Sequence, residues 1–468
     1  MRLSHGPGRT RASFDDPNLV SRAGLVPVMA LAQRAGLPQL LTEHVRPGGE
    51  CGVNAALKAG CLVAGMAAGA DSVDDMGLLR HGAMDVLFAG VRAPSTLGSH
   101  LRSYTWGNVL QLERAGRELL ARLSREAPLL PGADVLAFVD IDSTQKRVYG
   151  HKKEGARFGH TKIQGKSVLV RGLNALIAAV STPLAAPVAA ATRLRGGNAP
   201  SARGAGSLAA QAVRTARACG ATGTIVVRMD SAYYAAAVIA AVRRSGARFS
   251  VTAPATAAIR TAIASVPDEA WTAIKYPQAV WDDQLACWVS DAEVAETSYT
   301  AFTSKKKDLH VTARLIVRRV RDKNPKAAPG QGELFPAWRY HPVFTDSPYE
   351  LIQAEEQHRG HAVIEQLLAD LNDGPLAHLP SGKFNANAAW LAIAAITHNL
   401  LRAAGALASR RHAEARAATI RRDLIAVAAR TARHGRGRLT LHLPEGWHRE
   451  REWLNLFEAA CGPPAAAA

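Results

Sequence analysis

The spacing of hydrophobic residues changes along the chain and separates helical stretches from strand-rich ones. From Leu19 to about Gly132, apolar residues recur every three or four positions, as at 30–36 and 54–68, which predicts helices. The pattern then changes to short apolar runs, which are typical of buried strands. The predicted strands are 135–142, 173–180, 187–194, 224–230 and 248–252, with helices at 201–219 and 231–244.

These elements follow in the order β-β-β-α-β-α-β. The order predicts an α/β protein with a mixed sheet and helices packed on it, as in a ribonuclease-H-like catalytic core. Residues 254–345 break the rhythm, and we interpret them as a β-rich insertion with strands at 313–320 and 340–345. Helices are predicted again at 354–371 and 387–432. The predicted domains are a helical N-terminal region (1–132), the first part of the core (133–253), the β-rich insertion (254–345), the second part of the core (346–432) and a C-terminal tail region (433–468).

The charge of the chain indicates a polyanionic partner. Its 468 residues include 57 lysines and arginines against 39 aspartates and glutamates, which gives a formal net charge of +18 and a pI near 10.1. Such a surplus favours nucleic acid through phosphate neutralisation and counterion release. A basic protein from an arginine-rich proteome would show the same balance, so the charge alone leaves both interpretations open.

Other features of the composition exclude some classes of protein. The five cysteines are scattered and form no Cys-x-x-Cys pair, which argues against a disulfide framework or a structural zinc site and favours a reducing cytoplasm. Residues 1–15 are polar and basic and lack the apolar segment of a signal peptide. The most apolar stretch, Ala388–Ile396, is too short to span a bilayer and predicts a buried core helix, so we expect no membrane contact.

Two aspartates end predicted core strands. Asp142 ends the first strand, where Asp140 shares its face, and Asp230 ends the fourth. A carboxylate at the end of an apolar strand is unfavourable unless it is paired or coordinated. Either residue could cap a following helix instead, but two acids on neighbouring strand ends favour a shared site. Clustered carboxylates suit two Mg²⁺ ions, or Mn²⁺, in phosphodiester cleavage.

A third acid lies in the predicted helix that contains residues 355–366. His358, His361, Glu365 and Asn372 are spaced to share one face of this helix. A polar face in solvent would show the same spacing. A zinc site could use His361 and Glu365, but the stretch has neither a His-Glu-x-x-His motif nor a cysteine partner.

At these residues the chain resembles the DDE transposases of bacterial insertion sequences. Asp-Ile-Asp-Ser-Thr (140–144), Arg-Met-Asp-Ser (228–231) and His-Arg-Gly-His-Ala-Val-Ile-Glu-Gln (358–366) look like their three acidic motifs, and residues 374–390 resemble the segment that follows. The resemblance covers about residues 20–460 and is strongest to family thirteen-eighty, which is related to family four and to the Tn-five type. It implies that Asp142, rather than Asp140, joins Asp230 and Glu365 as a catalytic and metal-binding residue.

The resemblance also implies a cut-and-paste reaction. Water activated by Mg²⁺ or Mn²⁺ would cleave DNA at terminal inverted repeats, and the freed 3′-OH would attack target DNA. The expected partners are double-stranded DNA and a second copy of the chain in a homodimer, in the bacterial cytoplasm at the nucleoid. The N-terminal region, 1–132, would bind DNA, with a helical cap on the core as the alternative.

DNA contacts are predicted on the third-acid helix, at the end of the predicted strand 187–194 and in the β-rich insertion. On the third-acid helix, where relatives carry Tyr, Arg, Glu and Lys, His358 stands at the Tyr position, His361 at the Arg position and Asn372 at the Lys position. Relatives of the family-four type also hold a flipped base against a tryptophan of the insertion. The predicted contacts are His358, Arg359, His361, Arg193, Arg195, Trp281, Trp288, Lys305 and Lys306.

Two other functions remain open from the sequence. The departure at Asn372 favours, as an alternative, an inactive or domesticated transposase that acts as a sequence-specific DNA-binding protein. A sugar-cleaving enzyme with Asp140 and Glu365 as acid and base is a third possibility, against which the positive charge argues.

Overall fold

Helices dominate the chain before its first long strand, as the spacing of apolar residues predicted. They are seen in a computed structural model that describes residues 1, 4–163, 166–274, 280–283, 287–289, 292–321 and 338–462. After the two-residue strand β1 (Leu19–Val20) come α1 (Leu25–Arg34), α2 (Leu37–His44), α3 (Ala55–Ala68), α4 (Met84–Leu87), α5 (Pro94–Arg102) and α6 (Trp106–Glu126). Thr105 and Asn108 form a capping box that starts α6.

A sheet follows in which the described residues form ten strands, and its core has the predicted elements in their predicted order with one additional strand, β3. The core strands are β2 (Leu136–Arg147), β3 (Arg157–Ile163), β4 (Lys166–Thr182), β5 (Ala185–Gly196), β6 (Thr224–Met229) and β7 (Arg248–Thr252), with α7 (Ala205–Ala218) and α8 (Ala236–Arg244) between β5, β6 and β7. β4 lies antiparallel between β5 and β2, and β2, β6 and β7 are parallel. The order β5-β4-β2-β6-β7 confirms the mixed, ribonuclease-H-like α/β fold.

Three details of this core differ from the prediction. β2 does not end at Asp142 but continues to Arg147, because β4 pairs with it along its whole polar second half. The strand β3, which pairs with the first half of β4, was not predicted. The predicted helix 231–244 is divided into a 3-10 turn, Ser231–Tyr233, and α8.

The β-rich insertion continues the same sheet. Its elements are α9 (Ala257–Ala264), β8 (Thr272–Ile274), β9 (Val280–Asp282), β10 (Cys287–Val289), β11 (Ala292–Ala301), β12 (Val311–Arg321) and β13 (Trp338–Thr345). β13 pairs antiparallel with β7, and β12, β11 and β8 follow outward. The predicted strands at 313–320 and 340–345 are therefore confirmed, and they are hydrogen-bonded to the core.

The C-terminal part is mainly helical. It contains α10 (Leu351–Arg359), α11 (Val363–Asn372), α12 (Phe384–Ala408), α13 (Arg410–Glu414), α14 (Ala417–Ile420), a π-helical turn (Arg421–Ile425), β14 (Ala429–Arg433), β15 (Leu439–His442) and α15 (Glu450–Cys461). The prediction that helix dominates 387–432 is confirmed up to Ile425, although the helix is divided after Ala408 and the last residues belong to β14. β14 pairs with both β1 and β15, so a small sheet joins the two ends of the chain.

The helix α12 lies in the core of the protein. It is long and apolar enough to cross a membrane, but 89% of its most apolar window is buried inside the protein. The fully buried Trp390 donates its indole N–H to the carbonyl of Pro375. The predicted core helix is confirmed, although it is longer than its apolar run.

Side chains of β2 alternate between the two faces of the sheet. Ala137, Val139 and Ile141 belong to the large hydrophobic core. Leu136 and Phe138 lie on the opposite face in a separate small cluster. Asp140 and Asp142 share that second face, which α10 and α11 cover.

Candidate active site

Asp142 and Asp230 lie side by side where the parallel pairing of β2 and β6 ends. The last paired residues are Ile141 and Met229, so the two aspartates are the next residues on adjacent strands. Asp142 Oδ1 accepts the Ser143 amide at 2.7 Å. Asp230 Oδ1 accepts the amide of Ala232 at 2.9 Å and so caps the 3-10 turn. The capping interpretation of Asp230 is therefore correct, and it uses one carboxylate oxygen.

Asp140 serves the fold and not the acidic site. Both of its carboxylate oxygens accept from Arg228, each at 2.7 Å, and the two side chains are 0% and 3% exposed. The Arg228 guanidinium also lies 3.8 Å from the centroid of the Phe138 ring. Because its charge is compensated inside the protein, Asp140 is a poor metal ligand and a poor general acid. This geometry supports the choice of Asp142, and it removes the residue on which the sugar-cleaving interpretation relied.

Glu365 approaches the two aspartates from the helix above them. It is in the first turn of α11, which contacts β2. The pKa of Asp142 is raised from its usual 3.8 to about 6, mainly by burial; the charges of Asp230 and Glu365 add to the effect, and the Ser143 amide and His361 oppose it. The three predicted acids are thus within electrostatic reach of one another.

The donor set fits a hard divalent cation. Carboxylate oxygens are the ligands that Mg²⁺ prefers, and a cation would relieve the repulsion that contributes to the raised pKa of Asp142. Within the described ranges, no three His, Cys, Asp or Glu side chains stand close enough to form a complete ligand set. The exposed Asp230 and Glu365 would have to move toward an ion.

The two histidines of the third-acid helix have different surroundings. His358 has both ring nitrogens engaged, with Ser250 Oγ at 2.8 Å and Thr252 Oγ1 at 3.0 Å. Burial lowers the pKa of His358 to about 3, so the ring is neutral and ties α10 to β7. His361 instead lies near Asp142, and its buried Nε2 has no hydrogen-bond partner in the part of the chain that the structure describes.

The predicted arginines are engaged within the protein. Arg195 is buried and donates to Asn174 Oδ1 and to three loop carbonyls, so it holds the loop after β5. Arg193 lies 3.7 Å from Glu113 and stacks on the Trp106 ring of α6. Arg359 pairs with Glu355 at 3.2 Å. Arg193 is held by Glu113 and Trp106, whereas Arg195 is linked to the acidic edge through Asn174, whose amide donates to Ser143 Oγ.

The basic turn of the insertion lies beside the acidic edge. Lys305–Lys307 are exposed in the turn between β11 and β12. Phe302, at the start of that turn, packs against Tyr234 with a ring-centroid distance of 4.9 Å. Because Tyr234 follows Asp230 by four positions, the lysine turn and the loop after Asp230 are neighbours.

The two predicted stacking tryptophans form one hairpin. Trp281 on β9 pairs with Trp288 on β10, and the Trp281 side chain is 46% exposed. The side chain of Trp288 lies outside the described residues. Another aromatic cluster was not predicted: the Arg319 guanidinium lies 4.1 Å from the Trp271 ring centroid and 4.6 Å from that of Trp338.

Sequence analysis also missed a lysine on the acidic face of β2. Lys146 Nζ donates to Asn372 Oδ1 at 2.9 Å, and burial lowers the pKa of Lys146. Lys146 follows Asp142 by four positions, so both side chains share one face of the strand. This alternation would have signalled Lys146 if β2 had been predicted at its full length.

Comparisons with known proteins give the following matches. A family model described as transposase DDE domain group 1 matches residues 6–460. Among solved structures, a cryo-EM structure of a piggyBac transposase synaptic complex with hairpin DNA is 10% identical, with a TM-score of 0.39, covering 88% of this chain and 80% of that chain. No curated protein matches.

Proposed function

Because the chain belongs to the family of transposases with a DDE domain, we propose that it is an active transposase that cleaves DNA at terminal inverted repeats and joins the freed 3′ ends to target DNA. The observation that carries the proposal is the placement of Asp142 and Asp230 as the next residues on two adjacent strands, with Glu365 in the first turn of α11, which contacts β2. A site in which carboxylates repel one another is suited to a metal-dependent reaction.

The three acids of the proposed site come from different secondary-structure elements. Asp142 and Asp230 would hold the metal from adjacent strands, and Glu365 would close the set from α11. Mg²⁺ or Mn²⁺, as two ions, would supply Lewis-acid stabilisation of the attacking and leaving oxygens. Among the described residues the buried Nε2 of His361 has no hydrogen-bond partner, and it would donate to a phosphate oxygen next to Asp142.

DNA would be held by charge and by stacking. The +18 net charge supports binding of the phosphate backbone, and the exposed lysines 305 and 306 would contact phosphates beside Asp230. Trp281 is exposed enough to stack on a base, with Trp288 opposite it in the hairpin. We also propose that 1–132 binds DNA and that two copies assemble on paired ends.

The test uses the DNA that flanks the gene, which supplies the inverted repeats. Cleavage at the 3′ ends is measured with Mg²⁺ or Mn²⁺ for wild type and for Asp142→Asn, Asp230→Asn and Glu365→Gln. We expect each variant to lose about 10³-fold in rate, since metal stabilisation is worth several kcal/mol. The matched control is Glu356→Gln, an exposed glutamate on α10, which should cleave at the wild-type rate.

The outcome decides between two functions. Retained cleavage in any one of the three variants would remove that residue from the site. Specific binding of the repeats by wild type with no metal-dependent cleavage would instead support the alternative, a DNA-binding protein derived from a transposase. The absence of a lysine at position 372 is the observation that favours this alternative.

A further inference from the structure

The helix pair α10–α11 is attached to the sheet at two points, one within α10 and one at the end of α11. At its first half, Arg228 of β6 donates from Nη1 to the carbonyl of Gln357 at 2.5 Å. At its far end, Lys146 of β2 donates to the side chain of Asn372 at 2.9 Å. Both donors come from the face of the sheet that also carries Asp142.

The length of the helix pair between its two contacts agrees with the length of β2 between the same two contacts. The fifteen positions from Gln357 to Asn372 span about 22 Å of helix, and the six positions from Asp140, the partner of Arg228, to Lys146 span about 20 Å of strand. The helix pair therefore runs along β2. Glu365, about 12 Å from Gln357, is opposite the stretch from Asp142 to Thr144, which is about 7–13 Å from Asp140.

The helix pair needs such attachment because it is broken in the middle. A 3-10 turn, Gly360–Ala362, separates α10 from α11. The break lies against Arg228: a Cβ added at Gly360 would be 2.9 Å from Arg228 Nη1. Arg228 thus fixes α10 and the break. Asp370 of α11 accepts from Arg416 and from the Ala417 amide, and the attachment of α11, which carries Glu365, to β2 depends on a second point.

We propose that Lys146 is this second point, a positioning residue that fixes the end of α11 on β2 and thereby sets Glu365 against Asp142 and Asp230. A half-buried ammonium on a strand is unfavourable without a partner, and here its partner is a side chain in the last turn of α11. The negative end of the helix dipole and the neighbouring Asp373 attract the same charge. The inference rests on the proposed metal-binding function of the three acids.

The experiment removes the contact from either side. Lys146→Met keeps the aliphatic chain and loses the donor, and Asn372→Ala loses the acceptor. The double variant Lys146→Asn with Asn372→Lys restores a lysine–asparagine pair with the partners exchanged. The matched control is Lys58→Met, since Lys58 is also buried and donates to one oxygen, that of Cys51, in the N-terminal region.

Mn²⁺ binding to the DNA-free protein is measured by electron paramagnetic resonance, and kcat, KM and DNA affinity by end cleavage and anisotropy. We expect Lys146→Met and Asn372→Ala to weaken Mn²⁺ binding and to lower kcat by about 10-fold to 100-fold, the usual effect of losing a group that orients metal ligands. DNA affinity should stay at the wild-type level. The exchanged pair should recover most of both losses, and Lys58→Met should change neither.

Three results would overturn the inference. One is Mn²⁺ affinity in Lys146→Met equal to that of Lys58→Met. Another is a loss of DNA affinity with unchanged Mn²⁺ binding, which would make Lys146 a phosphate contact. The third is wild type that binds no Mn²⁺, which would also remove the proposed function. If wild type binds Mn²⁺ but cleaves no DNA, and Lys146→Met still weakens the metal, the proposed function fails while the positioning role stands.

Discussion

Replacing Asp142 with asparagine is expected to stabilise the metal-free protein while it lowers the rate of DNA cleavage by about 10³-fold. The pKa of Asp142 is raised from 3.8 to about 6, chiefly by burial. Each pKa unit corresponds to about 1.4 kcal/mol, so the charged form destabilises the folded state by about 3 kcal/mol. Asparagine keeps the oxygen that accepts the Ser143 amide and removes the charge.

The effect depends on pH with a definite sign. Below about pH 4 Asp142 is protonated in both folded and unfolded protein, and the substitution should change the free energy of unfolding little. Between about pH 4 and pH 6 the folded protein retains a proton that the unfolded chain has lost, so wild type loses stability as pH rises. Above about pH 6 the difference is constant, and the asparagine variant should be more stable by about 3 kcal/mol.

Urea unfolding in EDTA at several pH values between 4 and 7.5 measures the difference. Asp134→Asn is the control, because Asp134 is exposed just before β2. At a free Mn²⁺ concentration of about 1,000 Kd the order should reverse, because wild type gains about 4.1 kcal/mol and the variant gains much less. A variant that is less stable than wild type in EDTA, or a difference that does not change with pH, would refute the reasoning.

Two further predictions concern the residues around the acids. Arg228→Met leaves the charge of Asp140 buried without a partner and should lower the free energy of unfolding by about 3–5 kcal/mol. Adding Asp140→Leu to this variant should restore most of the lost stability. Equal stability of the single and the double variant in urea unfolding would contradict this reasoning. Changing the three lysines of 305–307 to alanine should leave the unfolding midpoint unchanged, because they are exposed. It should reduce the slope of log affinity against log salt by about 0.9 for each phosphate that is no longer neutralised, and an unchanged slope in anisotropy titrations would place these lysines away from DNA.

The sequence correctly predicted those helices and strands whose pattern of apolar residues lies within the element itself. The apolar runs that form β5, β6 and β7 and the helical spacing around Glu365 required no knowledge of distant residues. Asp142 was wrongly predicted to end its strand because the polar residues after it resemble a loop, and only the long partner β4 extends the strand through them.

The contacts that organise the site could not be predicted in this way. Asp140 with Arg228 and Lys146 with Asn372 join residues that are distant in the chain, and sequence spacing carries no information about such pairs. The sequence placed His358 and His361 on one helical face and gave no reason to assign them different roles. Their roles differ because Ser250 and Thr252 of β7 engage only the first.

The small sheet of β1, β14 and β15 also determines when the N-terminal region can finish folding during synthesis. β1 is made long before its partner β14, because Leu19 and Val20 pair with Arg430 and Ala429. The residues after β1 depend on the same late segment: the amide of Ala23 donates to the Val427 carbonyl, and a Cβ at Gly24 would collide with the carbonyl oxygen of Leu424. The N-terminal helices therefore reach their final packing only after β14 has been made, so a chain that ends before β14 would also lack a finished N-terminal region.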